Sequence, residues 1–431
     1  VRYGLLGFGL SNRYAAKFLK DKGDEIFVSE SGKLSDEDKA FLNENKIEYE
    51  EGTNSEKILG CDVILTSPSV PYDHPILLKA QEMKKHIDTE ITYFMKYLDW
   101  GPKVIAVTGS VGKSTTVSMI NHLISKTATS QLSGNVGIPI AQVLLEGKKP
   151  EYVVIEISSF QLYWAPFFKP NVSVITNIYP NHLDWHPNME HYIDAKFKIT
   201  KFQDNEDHFI YNPKDMEVFK RLSSVRAKRI PFTVDFKIED VPFHIRTKQN
   251  TENIAATKTV LKVLGLPFSM DMLNDFVPLP HRMEYCGTIN SVNYYNDSKA
   301  TNAAAVLKAL ENFENNLILI IAGKGKNEDY TQLADAIKKK CRHVAVIGPI
   351  ADAIAPYLKE KAINYKRYRD LEEAVSEIAK IAQPGDNVLL GPAGSSYDAY
   401  KNFEERGDHF KKLVNELLNE LSKGESGEVV K

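Results

Sequence analysis

The sequence predicts an α/β protein of three domains, each a sheet of mainly parallel strands wound with helices. Three observations carry that prediction. Short, mainly apolar runs recur at residues 3–6, 104–107, 172–177 and 317–321, the last three rich in β-branched residues, each closed by a polar or glycine-bearing turn. Helical patterns follow most of these turns, and that alternation is the mark of βαβ units. The alternation also restarts twice, near residues 99–102 and near Leu279, and 431 residues suit about three domains of roughly 150. The boundaries drawn are 1–98 for a Rossmann-like domain, 99–278 for a central phosphate-loop domain with a parallel sheet, and 279–431 for a second Rossmann-like domain.

Composition narrows the class. A hydrophobic content of 43% supports large cores, and a net charge of −3 gives no basic excess for nucleic acid. The three cysteines, Cys61, Cys286 and Cys341, have no zinc or redox spacing, which suits a reducing compartment. No apolar run reaches membrane-spanning length, and with a strand expected at the start no signal peptide is expected. A cytoplasmic monomer without membrane insertion is expected.

In the first domain, strands are expected at 3–6, 25–28 and 61–65, with an amphipathic helix at 13–20. The first turn, Gly7-Phe-Gly9-Leu10-Ser11-Asn12, resembles a dinucleotide fingerprint in which Asn12 stands where the third glycine would be. Glu30 ends the second strand, near where a ribose-binding acid would sit. This turn alone leaves open NAD, another phosphorylated nucleotide and a purely structural role.

The central domain opens on the most informative stretch, KVIAVTGSVGKSTT at 103–116. A buried strand leads into Gly109, Ser110, Val111, Gly112, Lys113, Ser114 and Thr115, and then into a helix. Such a turn aims successive N–H groups and a helix N-terminus at one phosphate chain. Lys113 would reach the outer phosphates and Ser114 would offer its hydroxyl to Mg²⁺. The loop is one residue shorter than the common G-x-x-x-x-G-K-[ST] pattern. A polar glycine loop is expected at 131–139, and then a central strand, YVVIEI at 152–157. Glu156 is the exception in that strand, and a carboxylate there needs a compensating cation. The strand at 172–177 would lie adjacent and deliver His182 beside Glu156, at the edge of a parallel sheet where ligands bind. His186 has nothing comparable in its favour. Lys196 falls near the apolar side of a helix, where the residues alone favour a snorkelling ammonium. Asn253 is expected to cap a helix at 254–264.

The third domain should carry strands at 293–296, 317–321, 344–347 and 388–390. The lysines at 338–340 close an exposed helix, and a final helix runs over about 402–421 before fraying.

Ten motifs then converge on one family. They are TGSVGKSTT at 108–116, SGNVGIP at 133–139, IEISSFQL at 155–162, TNIYPNHLDWH at 176–186 and DAKFKI at 194–199. QNTEN at 249–253, PLPHRMEY at 278–285, NDSKATN at 296–302, AGKGK at 322–326 and SSYDAYKNFEERG at 395–407 complete the set. The chain resembles, over essentially its whole length, the ATP-dependent Mur ligases of bacterial peptidoglycan synthesis. The branch joining D-glutamate to UDP-N-acetylmuramoyl-L-alanine is the most similar.

The resemblance implies a UDP-binding first domain, a P-loop ATPase centre and an amino-acid-binding third domain. It favours UDP over NAD in the first. It implies phosphorylation of a carboxylate by ATP and attack on the acyl phosphate by an incoming amine. Lys113 and Ser114 would hold ATP phosphate and Mg²⁺, Glu156 and His182 would ligate two Mg²⁺ ions, and Asn135 would face the bridging phosphate. Lys196 matches a lysine that the family carbamylates with CO₂, which makes it an anionic metal ligand. Asn253, Arg282 and Asp297 match ATP contacts. Thr301, Lys326, Ser396, Tyr397 and Phe403 fall around the incoming amino acid. Leu10, Ser11, Ser29, Glu30 and Ser31 fall on the uracil side, and Ser67 near the pyrophosphate. Ser29 stands where the family has an acid near the uracil, and Lys324 and Tyr397 replace an acid and a leucine. Ligands spread over three domains imply closure about hinges near 98 and 278. The same chemistry with another D-amino acid, a later-acting Mur ligase and a folylpolyglutamate-type ligase are alternatives, although folate ligases lack the first domain. A non-catalytic nucleotide-binding module is a further one.

Overall fold

The computed structural model describes residues 1–183, 185–325 and 328–425, with side chains to residue 420. Two compact units emerge, one of Val1–Lys237 with Asn250–Phe276, the other of Ile238–Gln249 with Val277–Lys431.

The first unit holds two sheets. Strands β1 (Arg2–Leu6), β2 (Glu25–Glu30), β3 (Glu48–Glu51), β4 (Val63–Thr66) and β5 (His86–Asp88) pair in the order β3-β2-β1-β4-β5, all parallel. Order reverses between β1 and β4, so the crevice that a doubly wound sheet offers to ligands opens there. The second sheet contains β6 (Lys103–Thr108), β7 (Ser130–Gly134), β8 (Tyr152–Glu156), β9 (Val172–Ile175), β10 (His208–Tyr211) and β11 (Lys228–Pro231). Its order is β11-β10-β9-β6-β8-β7, again all parallel. One apolar core serves both sheets, running from Leu5 and Val28 through Ile91 and Phe94 to Ala106 and Ile155.

The strand order corrects one expectation. Strands β8 and β9 are not neighbours: β6 lies between them and pairs with both. The phosphate loop therefore leaves the sheet between Glu156 and the segment that bears His182. Residues 131–134, expected as loop, form the edge strand β7 instead. Its pairing with the apolar β8 overrides the polar, glycine-bearing composition.

The second unit is built on β12 (Glu284–Ile289), β13 (Val292–Asn296), β14 (Leu317–Ala322), β15 (Cys341–Ile347), β16 (Tyr365–Tyr368) and β17 (Asn387–Ala393). The order is β12-β13-β17-β14-β15-β16. Its edge is mixed, because β12 runs antiparallel to β13. Asn290 and Ser291, at φ 49° and 61°, make the tight turn between them, as two-residue hairpins require. The central β14 is fully buried along its whole length, as its LILIIA sequence demands. Phe243, from the short Ile238–Gln249 insertion, packs on Tyr285 with ring centroids 5.4 Å apart. The last helix extends over Phe403–Glu425, beyond the expected end. The three cysteines are free thiols. No helix among the described residues is long and apolar enough to cross a membrane.

Candidate active site

The buried strand β6 ends in a loop whose two glycines are dictated by space. A Cβ on Gly109 would stand 2.0 Å from Thr176 Oγ1, and one on Gly112 would stand 2.4 Å from Asn253 Oδ1. Gly112 takes φ 86° and is the N-cap of the helix Lys113–Ile124, with no side chain to cap it. The first-turn N–H groups of that helix have no intrahelical acceptors, which is the arrangement that receives phosphate oxygens. The loop's own polar groups are held from behind. The Val111 N–H donates to Asn177 Oδ1 at 2.8 Å, and Thr176 Oγ1 donates to the Val111 carbonyl at 2.7 Å. Ser110 Oγ and Tyr192 OH share a 2.8 Å hydrogen bond. Lys113 Nζ donates to the Ser110 carbonyl at 3.1 Å, and Ser114 is buried.

Asn253 does not cap a helix. The helix begins earlier, at Lys248, and places Asn253 inside it, where its amide oxygen accepts from Thr116 Oγ1 at 3.3 Å. A polar run that looks like a cap is instead a face turned toward the phosphate loop.

Lys196 is buried, which overturns the snorkelling expected from the residues alone. Its helix, Met189–Phe197, starts at the Asn188 cap and presents the lysine to the loop. Lys196 Nζ donates to the Gly109 carbonyl at 2.8 Å and lies 4.5 Å from the centre of the Tyr192 ring. Burial, reinforced by the Lys113 charge and opposed by Glu156, holds its ammonium well below the usual lysine range. Glu156 is buried at the end of β8, and its Oε2 has no hydrogen-bond partner. Its backbone carbonyl accepts from the Asn135 N–H at 3.1 Å, which fixes the start of the 134–139 loop. Asn135 itself is exposed.

His182 is exposed at φ 55°, with its ring 4.8 Å from Phe160. His186 has a different task. It is buried, with Nε2 on Ser159 Oγ at 2.9 Å and Nδ1 on His191 Nδ1 at 2.7 Å. The Ser159 bond holds His186 against the helix Ser159–Trp164, which starts in a Ser158/Gln161 capping box. Trp185 Nε1 adds a bond to the Val70 carbonyl at 3.2 Å.

The crevice of the first sheet is a cleft of about 500 Å³ whose lining includes Glu30, Ser31, Ser67 and Val70. A smaller cavity of about 100 Å³ takes Leu10 and Ser11, with Ser67 common to both. Glu30 is engaged with backbone, accepting from Phe8 N–H and Gly32 N–H at 2.7 Å each. Ser29 is not brought to the cleft; it is buried and bonded to Glu50 and Asn54. Asn12 is buried and donates to the Gly7 carbonyl at 2.7 Å, so it braces the turn from inside. Asn54, Lys33 and His74 also line the cleft and went unnoticed in the sequence, where they sit in loops without pattern.

In the second unit, Asp297 is buried and accepts from the Met283 N–H at 3.1 Å, and burial pushes its carboxyl up to about 6. Arg282 is close enough to pull that value down. The Phe403 ring stands 4.9 Å from Lys299 Nζ, and its carbonyl accepts from Ser298 Oγ. Ser396 is buried, Thr301 half-buried and Tyr397 exposed. Lys326 lies outside the described residues. In this unit sequence reasoning gave no role to Arg406. Almost fully buried, it donates to Ser298 Oγ and to the carbonyls of Ser298, Ala322 and Gly394, so it ties the ends of β13, β14 and β17 together.

Residues 2–75 match the MurD N-terminal domain, 107–275 the Mur ligase middle domain and 281–394 the Mur ligase glutamate ligase domain. A UDP-N-acetylmuramoylalanine–D-glutamate ligase of Fervidobacterium nodosum is 78% identical over 97% of this chain and 100% of its own. The enzyme of the same name from Thermosipho africanus is 53% identical over 97% and 99%. The chain belongs to the Mur ligase family. Solved Mur ligases share the fold. UDP-N-acetylmuramate–alanine ligase MurC of Thermotoga maritima aligns at a TM-score of 0.60 and 17% identity, over 96% of this chain and 99% of that one. MurF of the same organism, solved with ADP, aligns at 0.60 and 15%, over 91% and 95%.

Mur ligases work with ATP and Mg²⁺. The residues here fit a divalent cation: a buried carboxylate oxygen without a partner ends one strand, and a buried serine hydroxyl opens the neighbouring helix. Among the described residues no group of three or more His, Cys, Asp and Glu side chains converges. Mg²⁺ suits that economy, because it is commonly held by one or two carboxylates with phosphate and water supplying the rest.

Proposed function

We propose that this Mur ligase joins D-glutamate to UDP-N-acetylmuramoyl-L-alanine at the expense of ATP, in the synthesis of peptidoglycan precursors. The full-length likeness to relatives of that name, at up to 78% identity among those compared, carries the reading.

An amine cannot displace oxide from a carboxylate at a useful rate. In the proposed reaction the alanine carboxylate attacks the γ-phosphorus, ADP leaves, and an acyl phosphate forms. The D-glutamate amine then attacks the acyl carbon, loses a proton and expels phosphate. Both steps gather negative charge on oxygen, so cationic groups and N–H donors supply most of the stabilisation. The first-turn N–H groups after Gly112 and the Lys113 ammonium would bind the phosphates. Ser114, Glu156 and His182 would hold Mg²⁺, which when bound neutralises phosphate charge. Two ions are proposed, and Asn135 would orient the transferring phosphate.

Lys196 extends this reading. Burial lowers the lysine's pKa and so favours its neutral, nucleophilic amine. Its nitrogen would add to the carbon of CO₂ and lose a proton, leaving a carbamate anion whose oxygens would be available to Mg²⁺. This exchanges an awkward buried amine for an oxygen ligand that suits a hard cation.

The remaining roles rest on motif. Asn253, Arg282 and Asp297 would contact ATP, and Thr301, Lys326, Ser396, Tyr397 and Phe403 the amino acid. Leu10, Ser11, Glu30, Ser31 and Ser67 would contact the UDP end, and Ser29 would act only from behind, through its bonds to Glu50 and Asn54. Domains at 1–98, 99–278 and 279–431 would chiefly bind the UDP end, ATP and the amino acid in turn, with Arg282 and Asp297 of the third reaching ATP, in a cytoplasmic monomer. The test is phosphate release with UDP-N-acetylmuramoyl-L-alanine and a panel of D- and L-amino acids. Dependence on D-glutamate is expected; activity only with an L-diamino acid would overturn the assignment.

A further inference from the structure

The segment DTEITYF at 88–94 carries two buried carboxyls that the reaction does not use. Asp88, at the end of β5, accepts from the Thr89 N–H at 2.7 Å and from the Thr92 hydroxyl, and so shapes the turn that follows. That turn delivers Glu90, which is buried in the first unit. Glu90 Oε1 accepts from the Ala141 N–H at 2.7 Å, and the Ile140 N–H adds to it. These two donors open the helix Ile140–Leu145, which begins directly after the 134–139 loop. The helix's own N-cap is Pro139, which offers no side-chain acceptor. Glu90 therefore caps from another part of the chain a helix that cannot cap itself.

The next residue acts on the other end of the same loop. Ile91 packs on Gly134 so closely that a Cβ there would stand 2.9 Å from Ile91 Cδ1. It would also stand 2.2 Å from the Glu156 carbonyl. Glu90 and Ile91 thus hold the loop at both ends, while Glu156 holds Asn135 by its backbone. Glu90 borders the 100 Å³ cavity as well, together with Leu10, Ser11 and Gln161. One side chain thereby links the wall of the UDP-side cavity to the loop bearing Asn135.

We infer that Glu90 is a positioning residue for acyl phosphate formation: it fixes the 134–139 loop, and through it Asn135, relative to the first sheet. The inference rests on the role proposed for Asn135. It also explains why a carboxyl is kept in an apolar site. Burial pushes its pKa up to about 8, a cost that a leucine would not carry.

The experiment compares Glu90→Gln and Glu90→Ala in the full chain, by kinetics and by hydrogen–deuterium exchange. Gln keeps an acceptor oxygen for the Ala141 N–H and should stay within about threefold of the parent kcat. Ala should lower kcat at least tenfold with KM for ATP within twofold. Exchange at 134–141 should rise at least tenfold in the Ala variant, with 113–124 unchanged. If the Ala variant does not fold, Glu90→Asp takes its place, with the same selective rise expected. Native kcat in a folded Ala or Asp variant would overturn the inference, as would exchange that rises across the whole unit. A parent chain inactive with D-glutamate but showing the selective exchange effect would remove the proposed reaction and leave the loop-fixing role standing.

Discussion

Lys196 Nζ donates its hydrogen bond to the carbonyl of Gly109, 2.8 Å away, so the buried amine is moored to the first residue of the phosphate loop. A substitution at either residue reaches the other. The helix of Lys196 and the loop of Gly109 come from distant parts of the chain, and this bond joins them at the mouth of the central sheet.

Replacing Lys196 by alanine should reduce ligation by at least about 100-fold, or about 2.7 kcal/mol of transition-state stabilisation. Phosphate-release kinetics check this. In ¹³C-enriched bicarbonate the parent should show a carbamate carbon signal that the variant lacks. Near-native turnover of the variant at low Mg²⁺ would take Lys196 out of the mechanism.

The depressed pKa of Lys196 predicts how stability varies with pH. Below the usual lysine range the unfolded chain holds a proton here that the folded chain has released. Stability contributed by this site therefore rises with pH, from the depressed folded value up to about 10.4, at up to about 1.4 kcal/mol per unit. Urea unfolding of the parent and of Lys196→Met, in carbonate-free buffer from pH 7 to 10, should show a steeper rise in the parent. Parallel curves would contradict the burial argument.

Glu156→Gln should separate stability from activity. Its Oε2 is buried with no partner, so removing the charge relieves desolvation in the metal-free protein. Unfolding without Mg²⁺ should show a gain of about 1 kcal/mol. Phosphate release should fall at least 100-fold. A variant both less stable and fully active would refute the metal assignment.

Gly112→Ala should abolish nucleotide binding. The new methyl would meet Asn253 Oδ1 at 2.4 Å, on a backbone already at φ 86°. The left-handed conformation alone costs about 1–2 kcal/mol for a non-glycine residue. Calorimetric titration with ATP should show no saturable heat, while far-UV circular dichroism stays native.

Arg406→Met should destabilise the second unit by about 3 kcal/mol, since three carbonyls and one hydroxyl lose a buried donor together. Denaturant unfolding followed by near-UV circular dichroism measures the loss. A change under 1 kcal/mol would mean that water replaces the guanidinium.

Much of the site was legible because its chemistry is local. The loop at 109–115 needs only a strand, two glycines and a helix start, all contiguous. Glu156 stood out as the one charge in an apolar strand, and the structure keeps it buried. What escaped the sequence depends on distant contacts. Strand order cannot be read from runs of apolar residues, so β8 and β9 looked like neighbours although β6 divides them. Asn253 resembled a cap because polar residues cluster at 249–253, yet the helix starts at Lys248 and the amide serves Thr116. Arg406 follows Glu404 and Glu405, and a charged triplet of that kind usually marks a solvated helix face. Lys196 needed the tertiary structure to decide between the surface and the core.

The indole of Trp185 bonds to the Val70 carbonyl in the wall of the 500 Å³ cleft, and it is one of only three tryptophans in the chain. Its emission is therefore sensitive to whatever enters that wall. Intrinsic fluorescence can follow occupancy of that cleft in real time, with no dye attached and no coupled assay.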